Sequence, residues 1–220
     1  MKTKILLTAA TLLLFASFIL PTLVSAQNLY GMTEKGGTTG NGVIFQFNPA
    51  TSAYAKKFEF SQFDGYRPNG SLAQALDGNL YGMTWEGGSG GSGFGDGTLF
   101  QFNPLTSTYT KKLDFAGVNG QNPDGSLMLA SDGNLYGMTY DGGTGGGVVG
   151  FGVIFQFNPF TSVYTKKHDF TGTDGANPVY TNLIEVTGAA LVPTLSQWAL
   201  ITLSVLVLGA GVVFMKGRMA

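Results

Sequence analysis

The chain has 220 residues, among them 34 glycines, 17 phenylalanines and 9 tyrosines, with one histidine and no cysteine. The missing cysteines exclude disulfides, thiol catalysis and Cys-ligated metals, so the fold must rest on apolar burial and strand pairing. Between Gln27 and Ala190 eight Lys/Arg stand against thirteen Asp/Glu, a balance of about −5 that offers no electrostatic footprint for nucleic acid.

In chain order, Met1 to Ala26 follow the plan of a secretory signal peptide. Lys2 and Lys4 supply the positive start, Ile5 to Leu20 an apolar run, Pro21 a break, and Val24-Ser25-Ala26 the small residues that signal peptidase requires. Cleavage is expected between Ala26 and Gln27. The apolar run is short for a membrane span, and the pattern of the body begins one residue after the cut.

That body is one block written three times. NLYGMT begins at Asn28, Asn79 and Asn134; FQFNP at Phe45, Phe100 and Phe155; and a lysine pair follows at Lys56-Lys57, Lys111-Lys112 and Lys166-Lys167. The last two landmarks recur every 55 residues, and only the glycine-rich loop between NLYGMT and FQFNP varies in length. Each block reads as four short strands, exemplified by Asn79 to Thr84, Thr98 to Asn103, Tyr109 to Phe115 and Ser126 to Ala130. The NP-x-TS segments make tight turns, and DGN at Asp77 to Asn79 and Asp132 to Asn134 signals a hairpin from strand four to the next strand one. TNLIEV, Thr181 to Val186, completes the count, giving units of about 28–76, 79–130 and 134–186 within a 27–187 domain.

The expected fold is therefore all-β: three four-stranded units, β-propeller-like, between an N-terminal signal peptide and a C-terminal transmembrane helix. Propellers usually need four to eight blades. Three units leave an open or strained arrangement, a six-bladed ring made by self-association of two chains, or a short solenoid.

The repeated landmarks, with their GG-rich loop, DF and G-x-NP, resemble the tandem repeat of bacterial GloVer-containing choice-of-anchor proteins. The resemblance runs from Asn28 to about Val186. Met32, Met83 and Met138 depart from it, standing where that family usually has threonine. It implies an architecture and no enzymatic activity.

No catalytic constellation emerges. His168 has Phe58 and Leu113 as its counterparts, so its slot is apolar elsewhere, and the G-x-S-x-G string at Gly87 to Gly91 falls in a loop read as joining strand to strand, not at the strand-to-helix turn of a nucleophile elbow. Glu59, Asp114 and Asp169 recur beside the lysine pairs and read as cross-strand partners of lysine. The loops EKGGTTGNG, WEGGSGGSGFGDG and YDGGTGGGVVGFG lack the GK[ST] of a phosphate cradle. Asp96 and Asp141 would be the acids of a Ca²⁺ site, although the order of a calcium loop is missing; no other cofactor or metal is expected. Trp85 and Tyr140 follow strand one in units two and three, where unit one has Glu34. Aromatics at loop bases either stack on a ligand such as a glycan or close the apolar ends of their sheets.

After Val186 the repeat stops. Residues 188–191 form a linker, and VPTLSQWA from Val192 to Ala199 leads into an apolar run that ends before Lys216 and Arg218. A span over 198–215 is predicted, with Trp198 at one interface and the basic tail on the cytoplasmic side. Motif, span and tail (residues 192–220) resemble the IPTL-CTERM sorting signal. Pro193, Thr194, Leu195 and Trp198 match its pattern, and Val192 and Ala199 replace Ile and Gly. The resemblance implies an exosortase-like transpeptidase as partner, beside signal peptidase. It also implies transient membrane anchoring before delivery to the cell surface or extracellular space. The sequence thus reads as an exported, non-enzymatic surface protein that binds an envelope component or glycan, or builds matrix. A carbohydrate-active hydrolase or lyase using loop acids is the alternative.

Overall fold

A computed structural model describes residues 27–89, 95–145 and 150–186. The leader with Ala26, the motif residues Val192, Pro193, Thr194, Leu195 and Trp198, the expected span and the tail charges Lys216 and Arg218 lie outside the described residues. Among those described, no helix is long and apolar enough to cross a membrane.

The described fold is all-β, with a single 3-10 turn at Gly117–Asn119. The first sheet holds β1 (Leu29–Thr33), β2 (Val43–Asn48) and β3 (Ala53–Glu59) in that order. The second is ordered β4 (Ala73–Gln74), β5 (Leu80–Thr84), β6 (Thr98–Asn103), β7 (Thr108–Asp114). The third joins β8 (Met128–Leu129), β9 (Leu135–Met138), β10 (Val153–Phe157) and β11 (Tyr164–Asp169). All pairings are antiparallel.

The expectation of three four-stranded units needs a correction. The sheets have three, four and four strands, because the fourth strands of the first and second repeats cross the DGN hairpin and join the sheet of the next. Thr181–Val186, expected as the last fourth strand, forms no strand among the described residues; Thr181 only bridges Gly125.

The landmark motifs are cross-strand partners. Gly31, Gly82 and Gly137 of LYGM lie opposite Phe45, Phe100 and Phe155. A Cβ on Gly82 would stand 2.6 Å from the tip of the Phe100 ring, so the missing side chain is the space into which the phenylalanine folds. After each second strand an asparagine closes the turn, as where Asn103 Oδ1 accepts the N–H groups of Leu105 and Thr106 at 2.9 and 3.0 Å.

Adjacent sheets pack face to face. Tyr30, Met32, Ile44 and Phe58 of the first sheet meet Leu80, Phe100, Phe102 and Tyr109 of the second, with Phe58 and Tyr109 stacked at 4.2 Å. Tyr81, Met83, Leu99 and Leu113 meet Leu135, Phe155, Phe157 and Tyr164 in the same way. Leucine and tyrosine of LYGM therefore occupy opposite faces: in the second sheet Leu80 packs toward the first and Tyr81 toward the third. His168 falls on the far face of the third sheet, half-exposed, and its Nε2 lies 3.0 Å from Asp174 Oδ2.

The recurring acids follow from a bulge. Register shifts at Ile44/Phe45, Leu99/Phe100 and Ile154/Phe155 leave the second lysine of each pair unpaired. That extra residue brings positions i and i+3 to one face, so Lys111 pairs with Asp114 at 2.9 Å and Lys166 with Asp169 at 2.8 Å. The partners lie along the strand, not across it as the sequence had suggested. Each acid also accepts an N–H from the glycine-rich loop: Thr39 to Glu59 at 2.8 Å, Ser89 to Asp114 at 3.0 Å and Thr144 to Asp169 at 2.9 Å.

Candidate functional site

The candidate residues gather on a seam where the loop of one repeat is stitched to the next. Arg67, Asn122 and Asn177, each just before a proline, adopt φ of 54°, 52° and 48°. Asparagine tolerates this left-handed backbone far better than arginine does. In that conformation their N–H groups reach the carbonyls of Asn41, Asp96 and Phe151 at 3.1, 2.7 and 2.9 Å. The carbonyls of Arg67 and Asn122 in turn accept the N–H groups of Trp85 and Tyr140, at 3.0 and 3.1 Å.

This stitching brings the two predicted aromatics together. The Trp85 and Tyr140 rings lie 5.5 Å apart at 55°, both half-buried. Their backbones are held by amide side chains: Asn122 Nδ2 donates to the Trp85 carbonyl at 3.0 Å, and Asn177 Nδ2 to the Tyr140 carbonyl at 2.9 Å.

The two candidate acids flank the same segment. Asp96 is 7 % exposed and accepts Gln121 Nε2 at 2.7 Å. Gln121 is paired through its backbone with Asp141, whose Oδ1 accepts Asn177 Nδ2 at 3.0 Å. Burial pushes the Asp141 carboxyl above its ordinary range, the Asn177 bond works against that, and the charge of Asp96 adds to it. Among the described residues no group of three His, Asp or Glu side chains stands close enough to hold a metal ion.

Sequence reasoning missed the opposite end of the seam. Arg67 forks between Glu34 and Glu86 at 3.1 and 3.3 Å. Partial burial alone would lower the guanidinium's pKa, but the two carboxylates outweigh it and raise it. Burial, then Glu86, push the Tyr66 phenol up to about 12. Asp124, 6 % exposed, accepts Asn69 Nδ2 at 3.1 Å, and burial raises its carboxyl despite that bond. The available signal was the x-Pro-[Asn/Asp]-Gly-Ser segment shared by residues 67–71 and 122–126.

Repeated sheets, a polar seam and a pair of half-open rings define an all-β tandem-repeat protein. The chain belongs to the Gloeobacter/Verrucomicrobia repeat family, whose model matches residues 16–197. The IPTL-CTERM motif matches residues 192–218, covering every sorting residue predicted from the sequence. No curated protein matches the chain. Among solved structures it is similar to a protein assigned as a 6-phosphogluconolactonase from Bacteroides fragilis, at 18 % identity and a TM-score of 0.39. That likeness covers 80 % of this chain and 41 % of the other, so the chain spans less than half its length. At this level it carries no argument about fold or activity.

Proposed function

We propose that the protein is an exported surface module, propeller-like in architecture, whose repeat domain binds glycan or another hydroxyl-rich envelope component. The observation that carries this reading is the Trp85–Tyr140 pair. Two adjacent, half-open rings offer apolar faces on which a sugar ring stacks, and neighbouring amides and carboxylates supply hydrogen-bonding groups around them. The IPTL-CTERM match supports the address: an exosortase-like enzyme would process the chain near Pro193 and Thr194, passing the domain to the cell surface.

A glycan array probed with the processed protein from cells tests the binding claim. Trp85→Ala should weaken any glycan signal about tenfold or more, as truncation of a central aromatic anchor does. An unchanged signal would reject the ring pair as the site. The same array hydrolysed by wild type, with turnover lost in Asp141→Asn, would favour the carbohydrate-active alternative. For the address, Pro193→Ala with Thr194→Ala should leave unprocessed chain in the inner membrane, read by mass spectrometry. Normal processing in that variant would refute it.

A further inference from the structure

Among the described residues, the first sheet lacks the fourth strand that the second and third sheets have. β5 and β9 are flanked by the fourth strands β4 and β8, whereas β1 pairs only with β2 among the described residues. Leu29 on β1 is 55 % exposed, while its counterparts Leu80 and Leu135 are 8 % and 0 %. Beside β1 an open cavity of about 330 Å³ is lined by Leu29, Tyr30, Leu72, Gln74 and Leu80. Ala75 from the fourth-strand segment belongs to the core cluster that includes Leu127 and Leu135, and Ala73 and Leu129 pack against that cluster.

The third repeat carries a segment that fits the place of that strand. A Cβ on Gly70 would collide with the Gly125 carbonyl, and one on Gly125 with the Thr181 carbonyl, so Gly70, Gly125 and Thr181 are equivalent positions. From Gly125 to Thr181 the step is one residue longer than the usual one. Allowing for it, Leu183-Ile184-Glu185-Val186 aligns with Leu72-Ala73-Gln74-Ala75 and Leu127-Met128-Leu129-Ala130. Ile184 and Val186 take the places of Ala73 and Ala75, yet are 82 % and 86 % exposed.

The outer faces match as well. The first sheet presents Leu29 and Tyr54, the latter 59 % exposed and stacked on Phe45. These are the positions with which the second and third sheets cover their predecessors. The third sheet presents Met138, Ile154 and His168, equivalent to the Met83, Leu99 and Leu113 that a following sheet buries.

We propose that the third sheet of one copy is followed by the first sheet of a second copy, and that Leu183–Val186 enters that sheet as its fourth strand. In the register of β4 on β5, Ile184 lies opposite Tyr30 and Glu185 opposite Leu29 of the second copy. A second copy is the occupant because the fourth strands of the first and second repeats are handed forward to the next sheet, and the chain's own first sheet stands uncovered at Leu29 and Tyr54. The contact is heterologous, one surface meeting a different one.

The chain's lack of cysteine makes disulfide trapping a clean test. Full-length Leu29→Cys/Glu185→Cys, exported and oxidised in cells, should run as a linked species of at least twice the chain mass. Co-expressed single variants Leu29→Cys and Glu185→Cys with different tags should give a product bearing both tags. Gln74→Cys/Leu80→Cys, a pair within one chain here, should link as a monomer and serves as the control. Adding Ile184→Asp and Val186→Asp should cut the two-tag product at least tenfold while the control pair links undiminished. Linkage confined to single chains, no linkage while the control succeeds, or a yield unmoved by the aspartates would each overturn the proposal.

Discussion

Each acid after a lysine pair fastens a glycine-rich loop to the end of the third strand, and its titration should be visible in stability. For Asp114, burial alone would raise the pKa, but the bonds from Ser89 and Lys111 prevail and lower it; Asp169 is held down in the same way by Lys166 and Thr144. The hydrogen bond from Lys56 and the N–H of Thr39 bring Glu59 from 4.5 to about 2. Because these folded-state values lie below the unfolded ones, their contribution is complete above the ordinary carboxylate range. It is lost as pH falls, for Glu59 between 4.5 and about 2. Melting temperature should therefore drop through that acid window, and Glu59→Gln should flatten part of the drop. Asp114→Asn should cost about 1–2 kcal/mol at neutral pH by denaturant unfolding, since it weakens a charge-assisted pin. Asp124 and Asp141 act with the opposite sign. Burial, the main cause, raises their pKa values, so ionisation costs stability as pH rises through the ordinary carboxylate range. Asp124→Asn should accordingly hold or raise stability at pH 7 and lose that advantage in acid.

Strand chemistry explains why LYGM and FQF travel together. A methyl group at Gly82 would strike the Phe100 ring, which is fully buried against Phe60 and Tyr109. Gly82→Ala should thus destabilise by about 1–3 kcal/mol, the range for overpacking, in a denaturant titration with unchanged m-value. Much of this level was legible in the sequence: the alternation in FQFN, the NP turn and the DGN hairpin all appear where expected. Two features were not. The lysine bulge has no local signature, since it is defined by the partner strand's register. The hand-over of strand four was half visible, because a hairpin signal names two neighbouring strands without saying which sheet owns them. The extra residue before Leu183 stayed hidden for a related reason, as only the approach of Gly125 to Thr181 fixes the phase of the last repeat.

At the scale of the whole molecule, the period announced repeated β-units, expected to be propeller-like, and the C-terminal end announced a sorting motif that the IPTL-CTERM match bears out. The candidate site was legible only in part. Trp85 and Tyr140 stood out as unusual residues at equivalent positions, but their contact depends on how far one sheet is displaced from the next, which no local pattern encodes. The Arg67 fork between Glu34 and Glu86 was invisible for the same reason, its members coming from different blocks. His168 shows the converse: a polar residue is accepted in an apolar slot because its face has no described sheet beyond it. The constant hand-over of strand four also bears on how such a gene changes length. Because every junction between equivalent positions restores the same pairing, an in-frame deletion from Asn79 through Gly133 joins Gly78 to Asn134 and rebuilds an intact DGN hairpin. Unequal crossing-over between the repeated blocks can therefore shorten or lengthen the protein by whole sheets without orphaning a strand. A chain carrying that deletion should still be exported and fold cooperatively, with a smaller unfolding enthalpy in calorimetry.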